Sequence, residues 1–167
     1  MGRGATKATG NVWYEARIEA ARYNEKLCSR EGAAELLDMS VSAISDMELD
    51  ITKFMPVDKA VRVADLYKAP QLRNYYCKNV CPIGKNKPVA VELDTIELVT
   101  VRLLKALQTE AVEDIRRKLL EIAEDGVVSE DEVVDLDAVT DCLNNLAKQI
   151  SSLQIILSIV KGQHDGD

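Results

Sequence analysis

The sequence predicts an all-α protein: a compact N-terminal bundle of short helices, then a long antiparallel helical hairpin of coiled-coil character. Three observations carry that expectation. The 8 glycines and 4 prolines among 167 residues fall mostly between segments of helical periodicity, as short connections require. Apolar residues make up 47% of the chain but aromatic ones only 4%, so Leu, Ile, Val and Ala must fill the core. Finally, two aliphatic heptad series run side by side near the C-terminus: Leu136, Leu143, Ile150 and Leu157, offset by three from Val139, Leu146, Leu153 and Val160.

Charge divides the chain further. Residues 1–11 carry net +2, residues 12–70 net −3, residues 71–91 net +4 and residues 92–167 net −10, which sum to −7. A protein that grips nucleic-acid phosphates needs a basic face. Only the first 91 residues can supply one, because the acidic C-terminal part repels a polyanion.

The bundle is expected over residues 12–70. Trp13, Ala16, Ala20 and Leu27 mark its first helix. Ser29 caps a second helix from Arg30 to Leu37, where the small Ala33 and Ala34 let a neighbour cross closely. Asp38-Met39-Ser40 is a tight turn. Ser40 caps a third helix, Val41 to about Glu48, that buries Ile44 and Met47. Pro56 opens a fourth, with Val57, Val61, Ala64 and Leu66 as its apolar residues.

Residues 71–91 are expected to form a Cys-, Lys- and Pro-containing connector, since Pro82, Gly84 and Pro88 forbid a continuous helix. One long helix should then run from about Leu93 to Asp125 on Ile96, Val99, Leu103, Leu107, Ile115, Leu119 and Ile122, a periodicity broken near Glu110. Gly126 suits a left-handed C-terminal cap. Ser129 and Glu132 form a capping box for the last helix, and the short turn implies antiparallel neighbours. That helix, to about residue 162, has uncharged flanks: Cys142, Gln149 and Ile156 on one side, Thr140, Ala147 and Gln154 on the other. So wide an apolar stripe fits a multi-helix bundle. The preceding helix covers one side only, so a second copy of the chain is expected on the other. Residues 1–11 and 163–167 are expected to be tails.

Residues 29–50, "SREGAAELLDMSVSAISDMELD", together with "PVDKAVRVADLY" at 56–67, resemble the XRE, or lambda-repressor-like, helix-turn-helix family of regulators. The resemblance covers residues 12–70 and rests on Ala34, Ser40, Ile44-Ser45 and Glu48. The connector "NYYCKNVCPIG" also looks like the segment after this domain in a group of such regulators from anaerobic Gram-positive bacteria. The resemblance implies a third helix that enters the DNA major groove. Val41, Ser42, Ala43 and Asp46, with Ser40 at the helix start, would then face base edges, and Arg30 and Lys53 would meet phosphates. It also implies that Glu48 pairs within the domain. Two departures stand out, Asp38 and Asp50 where the family usually has Gly. The stretch 40–50 is also acidic, with Asp46, Glu48, Asp50 and no basic residue.

The expected function is therefore a homo-oligomeric, sequence-specific regulator of transcription that binds double-stranded DNA. The alternative is an oligomeric scaffold whose helix-turn-helix contacts protein. Other chemistries find less support. Cys77 and Cys81 make one close pair, and a zinc site would need Cys28 and Cys142 from separate helices. Those two look like small buried hydrophobes. "EIAEDGVVSEDE", residues 121–132, mimics a calcium loop but has Ala123 where an oxygen ligand belongs. A single histidine, His164, and the lack of a phosphate loop or nucleophile motif leave no enzyme chemistry to assign. No cofactor or metal is expected. With no long apolar run and no apolar signal core, a cytoplasmic protein with reduced thiols is expected. Gly2 and Thr6 fit the loose myristoylation pattern, though such small polar termini usually form tails.

Overall fold

The structure, a computed structural model, describes residues 7–51, 55–124 and 126–164. Among them are eight α-helices and one short 3-10 helix, and no strand. The chain divides into two compact units. One comprises residues 1–87 with 158–167, and the other residues 88–157.

In the first unit, α1 (Val12–Ala20) begins at Asn11. Its Oδ1 accepts from the amides of Trp13 (2.9 Å) and Tyr14 (3.1 Å), two of the donors a helix N-terminus leaves unpaired. The Asn11 side-chain amide donates in turn to the Met47 carbonyl and to Asp50, fastening the start of α1 to the end of the third helix. Residues 7–11 are therefore not a free tail, for Ala8 and Asn11 are buried. Leu27 does not extend the first helix as expected. It lies in a separate 3-10 turn, Glu25–Cys28, capped by Asn24.

The next helices fall where the sequence places them: α2 (Arg30–Leu37) under the Ser29 cap and α3 (Val41–Glu48) under the Ser40 cap. Gly32 is obligatory for packing. A Cβ there would stand 1.9 Å from the Lys26 carbonyl oxygen, so α2 could not approach the 3-10 turn so closely. Asp38 (φ 52°) and Asp50 (φ 54°) adopt the left-handed conformation at the ends of α2 and α3. That explains both departures from the glycine pattern, because Asp tolerates this region better than most residues.

The helix α4 (Val57–Leu66) follows Pro56 and buries Ala60, Val63 and Ala64. Val57 and Val61, expected in its core face, are exposed. They lie off the stripe set by Ala60, Val63, Ala64 and the buried Tyr67.

The connector is also corrected. Residues Gln71–Asn79 form α5, with Leu72 and Tyr76 buried in the same core as Trp13, Ile44 and Val63. These two residues are four apart and share one helix face. The helix-breaking signals at Pro82, Gly84 and Pro88 act only beyond it. The Tyr76 hydroxyl donates to the Met55 carbonyl (2.8 Å), and Tyr75 meets Trp13 edge-on.

In the second unit the expected first long helix is two. α6 (Ile96–Ala106) ends at Leu107, and α7 (Thr109–Ile122) starts after an extended Gln108 (ψ 141°). The break puts Glu110 in the first turn of α7, where the helix dipole favours a carboxylate. Gly126 has φ 72°. The expected capping box is present: the Ser129 amide donates to Glu132 (2.8 Å), and the Glu132 amide donates to the Ser129 hydroxyl. The last helix, α8, then runs Glu130–His164, 35 residues and so about 52 Å long. His164, expected in a tail, closes it. Lys118 of α7 pairs with Asp135 of α8 at 3.0 Å. Further along α8, Cys142, Asn145, Lys148 and Gln149 line a cavity with Arg102, Lys105 and Ala106 of α6. The Ala90 amide donates to Ser151. No described helix is long and apolar enough to cross a membrane.

Candidate nucleic-acid interface

The candidate site is the first turn of α3 with the start of α2. Val41 and Ser42 are exposed, Ala43 and Asp46 half-buried, and Ile44 and Met47 face the core. The two faces arise from the 3.6-residue period. The Ser40 hydroxyl accepts from the Ala43 amide (3.1 Å), which occupies Ser40 as a cap and fixes the direction of the first turn.

At the C-terminal end of α3, an ion triad holds α1, α2 and α3 together. Glu48 is fully buried and accepts three N–H groups: Arg17 Nε (2.5 Å), Arg17 Nη2 (3.2 Å) and Arg30 Nε (2.8 Å). Arg17 also donates to the Leu27 carbonyl, and its guanidinium lies 5.4 Å from the centre of the Tyr14 ring. Burial works against the charge on Arg17, but the hydrogen bond and field of Glu48 outweigh it and hold its pKa above the ordinary value. The bidentate geometry and third donor offset the desolvation that makes lone buried charges costly. Glu48 thus pairs inside the bundle. Arg17, the partner that anchors it, escaped the sequence expectations. Its signal was an arginine on the otherwise apolar Trp13–Ala16–Ala20 face of α1.

The triad also engages Arg30, one of the two expected phosphate contacts. Its Nε is committed to Glu48, while its side chain remains 31% exposed. The outer edge of the guanidinium is what remains for an external anion. Lys53 lies outside the described residues. Lys59 approaches the Asp38 carbonyl at 3.4 Å, at the turn between α2 and α3, and is a cation near the site that sequence inspection missed. Lys26 is paired with Glu35. The basic segment after α5 begins on another side: Asn79 and Val80 line a small cavity with Met47 and Asp50, near the end of α3 and away from its first turn.

Of the cysteines, Cys28 is exposed, against expectation, because its 3-10 turn buries Leu27 instead. Cys77, Cys81 and Cys142 are half-buried thiols. No group of three or more potential metal ligands occurs among the described residues.

The heptad positions proposed for self-association separate into two sets. Val139 is buried and Leu146 and Leu153 half-buried. Leu143, Ile150, Leu157 and Val160 are exposed, and Leu136 is half-buried. No family model matches this chain, and no curated protein or solved structure matches it significantly.

Proposed function

We propose that the first unit is a helix-turn-helix module that binds double-stranded DNA through α3, and that the second joins copies of the chain, making a self-associating regulator of transcription. The observation that carries this is the exposed first turn of α3. Val41 and Ser42 project from a short helix whose base is fixed by the Arg17–Glu48–Arg30 triad, so the turn can enter a groove without rearranging. Ser42 offers a hydroxyl to a base edge and Val41 a methyl surface to thymine. Lys59, which donates to Asp38 at the turn before α3, and Arg30, which opens α2, serve as phosphate contacts.

The order of contacts in the second unit supports the hairpin. Lys118 meets Asp135, Arg102, Lys105 and Ala106 share a cavity with Cys142, Asn145, Lys148 and Gln149, and Ala90 meets Ser151, as an antiparallel return requires. The exposed Leu143, Ile150 and Leu157 supply the surface for a second chain.

One observation favours a second reading, the protein-contact scaffold. Asp46 stands on the same helix as Ser42, Glu31 is exposed at the start of α2, and Arg30 beside it is bonded to Glu48. Titration against duplex DNA at two salt concentrations separates the two. The regulator shows binding that weakens with salt. Arg30→Ala lowers the slope of log affinity against log salt by about one unit. Ser42→Ala relaxes preference at one base pair by about 1 kcal/mol. Asp46→Asn raises nonspecific affinity. Absence of salt-dependent binding by the folded wild-type chain would leave the scaffold.

A further inference from the structure

The long helix α8 carries two apolar seams, one covered inside the chain and the other largely open, with only Leu136 and Ala147 of its eight positions half-buried. The inner seam contains Val139, Cys142, Leu146, Gln149 and Leu153, all buried or half-buried. The outer one alternates steps of three and four from residue 133 to residue 157. One series is Leu136, Leu143, Ile150 and Leu157, of which Leu143 and Ile150 are 45% and Leu157 52% exposed. The other is Val133, Thr140, Ala147 and Gln154. None of the eight positions is charged, in a helix whose first turns are rich in acids. A 3-4 repeat of this kind is a helix-packing seam.

We infer that the outer seam of α8 is covered by α8 of a second copy of this chain, running antiparallel about a dyad near Asn145. This rests on the self-association proposed under the function and fixes its geometry. Two independent features select the antiparallel direction. The first is charge. From residue 130 to 141, α8 carries Glu130, Asp131, Glu132, Asp135, Asp137 and Asp141 and no base; from 142 to 164 it carries Lys148 and Lys161 and no acid. Antiparallel pairing sets each acidic half against a basic half. Parallel pairing sets six carboxylates beside six.

The second feature is volume. Antiparallel layers about residue 145 face Leu143 with Ala147, Ile150 with Thr140, Leu157 with Val133 and Leu136 with Gln154. Each layer thus combines one member of the large series with one of the other. Parallel layers would alternate Leu–Leu with Ala–Ala and Thr–Thr, leaving the helices too far apart at the small layers. The seam is self-complementary under a two-fold axis, as a closed dimer requires.

The test uses the full chain with its four cysteines changed to Ser, in two spin-labelled variants, Asn144→Cys and Val134→Cys, after sedimentation at micromolar concentration. Antiparallel pairing gives a short distance at 144 and a backbone separation of about 33 Å at 134, from about 1.5 Å per residue over roughly eleven residues on each side. Short distances at both positions mean a parallel pair; they overturn this inference and leave self-association standing. A monomer overturns both. Lys148→Glu with Lys161→Glu, in the chain with native cysteines, gives a second readout. Antiparallel pairing predicts that dimer dissociation rises about tenfold or more. An unchanged dimer contradicts it, because a parallel pair would exchange one like-charge contact for another.

Discussion

In the first unit Leu27, Leu37, Ile44, Val63 and Leu72 are almost completely buried around one core, and its buried carboxylate has three donors. In the second, Val99, Val139 and Ile155 are the buried large aliphatic side chains, while Val101, Leu104, Leu120, Val134 and Leu157 stand more than half exposed. The residue types are much the same. What differs is helix arrangement: short helices crossing at small residues such as Ala33, Ala34 and Ala60 enclose a core, whereas long helices laid along one another cover one stripe each and leave the other open. On the function proposed above, the enclosed first unit holds the α3 turn rigid, and the open stripe of the second is the surface that another copy of the chain would complete.

The largest effect that would break this contrast is expected at Glu48. Glu48→Gln leaves Arg17 buried without its counter-charge and should cost about 3–5 kcal/mol of first-unit stability in urea unfolding. A loss below about 1 kcal/mol would mean that the triad does not hold the bundle. Next is Gly32→Ala, where the added methyl meets the Lys26 carbonyl; overpacking against backbone should cost about 1–3 kcal/mol, read by thermal melting.

Concentration sharpens the comparison directly. Unfolding of the second unit should shift by about 1.4 kcal/mol per tenfold change in protein concentration while the first unit stays fixed. Leu143→Asp, on the outer seam, should abolish that dependence and leave helicity largely intact. Leu146→Asp, on the inner seam, should lower helicity itself. Equal circular dichroism losses for both variants would erase the distinction between seams.

Alkaline titration tests the first core. Burial raises the phenol pKa of Tyr67, and burial also raises those of Tyr75 and Tyr76. A raised native pKa leaves stability intact below the unfolded value near 10 and removes it as pH climbs above that value, because only the unfolded chain ionises freely. First-unit stability should therefore fall above about pH 10, with tyrosinate absorbance from these three rings appearing together with unfolding. Smallest is Gln149→Met. The Gln149 side-chain oxygen is buried without a hydrogen-bond partner, so the replacement should raise second-unit stability by about 1 kcal/mol, measured by urea unfolding.

Local signals were legible where a residue acts on its own backbone. Ser29, Ser40 and Ser129 with Glu132 cap in the structure as their positions in the sequence imply, because capping depends on a few neighbouring residues, whereas Gly126 is left-handed as expected but lies beyond the Ala123 cap that ends α7. The α6–α7 break showed only as a lapse of periodicity near Glu110, and without a strong stop signal at Gln108 or Thr109 it did not announce two helices. The fifth helix was obscured by the prolines beyond it. The buried role of Arg17 was not legible because it depends on Glu48, 31 positions away. In the interface, the exposed Val41 and Ser42 could be read from helical phase alone, whereas the commitment of Arg30 to Glu48 is a tertiary fact that no spacing announces. The heptad series of α8 were present in the sequence, but which of their positions the fold covers was a tertiary fact that the spacing did not show.

Selection of random-sequence duplexes by the full-length chain, with sequencing of the retained pool, tests the central claim most directly. A self-associating DNA-binding regulator predicts an enriched, two-fold symmetric motif. Ser42→Ala should change that motif at one position in each half, and Leu143→Asp should reduce it to a single weaker half. An unenriched pool from a folded, oligomeric protein would contradict DNA reading by α3 and assign its surface to a protein partner.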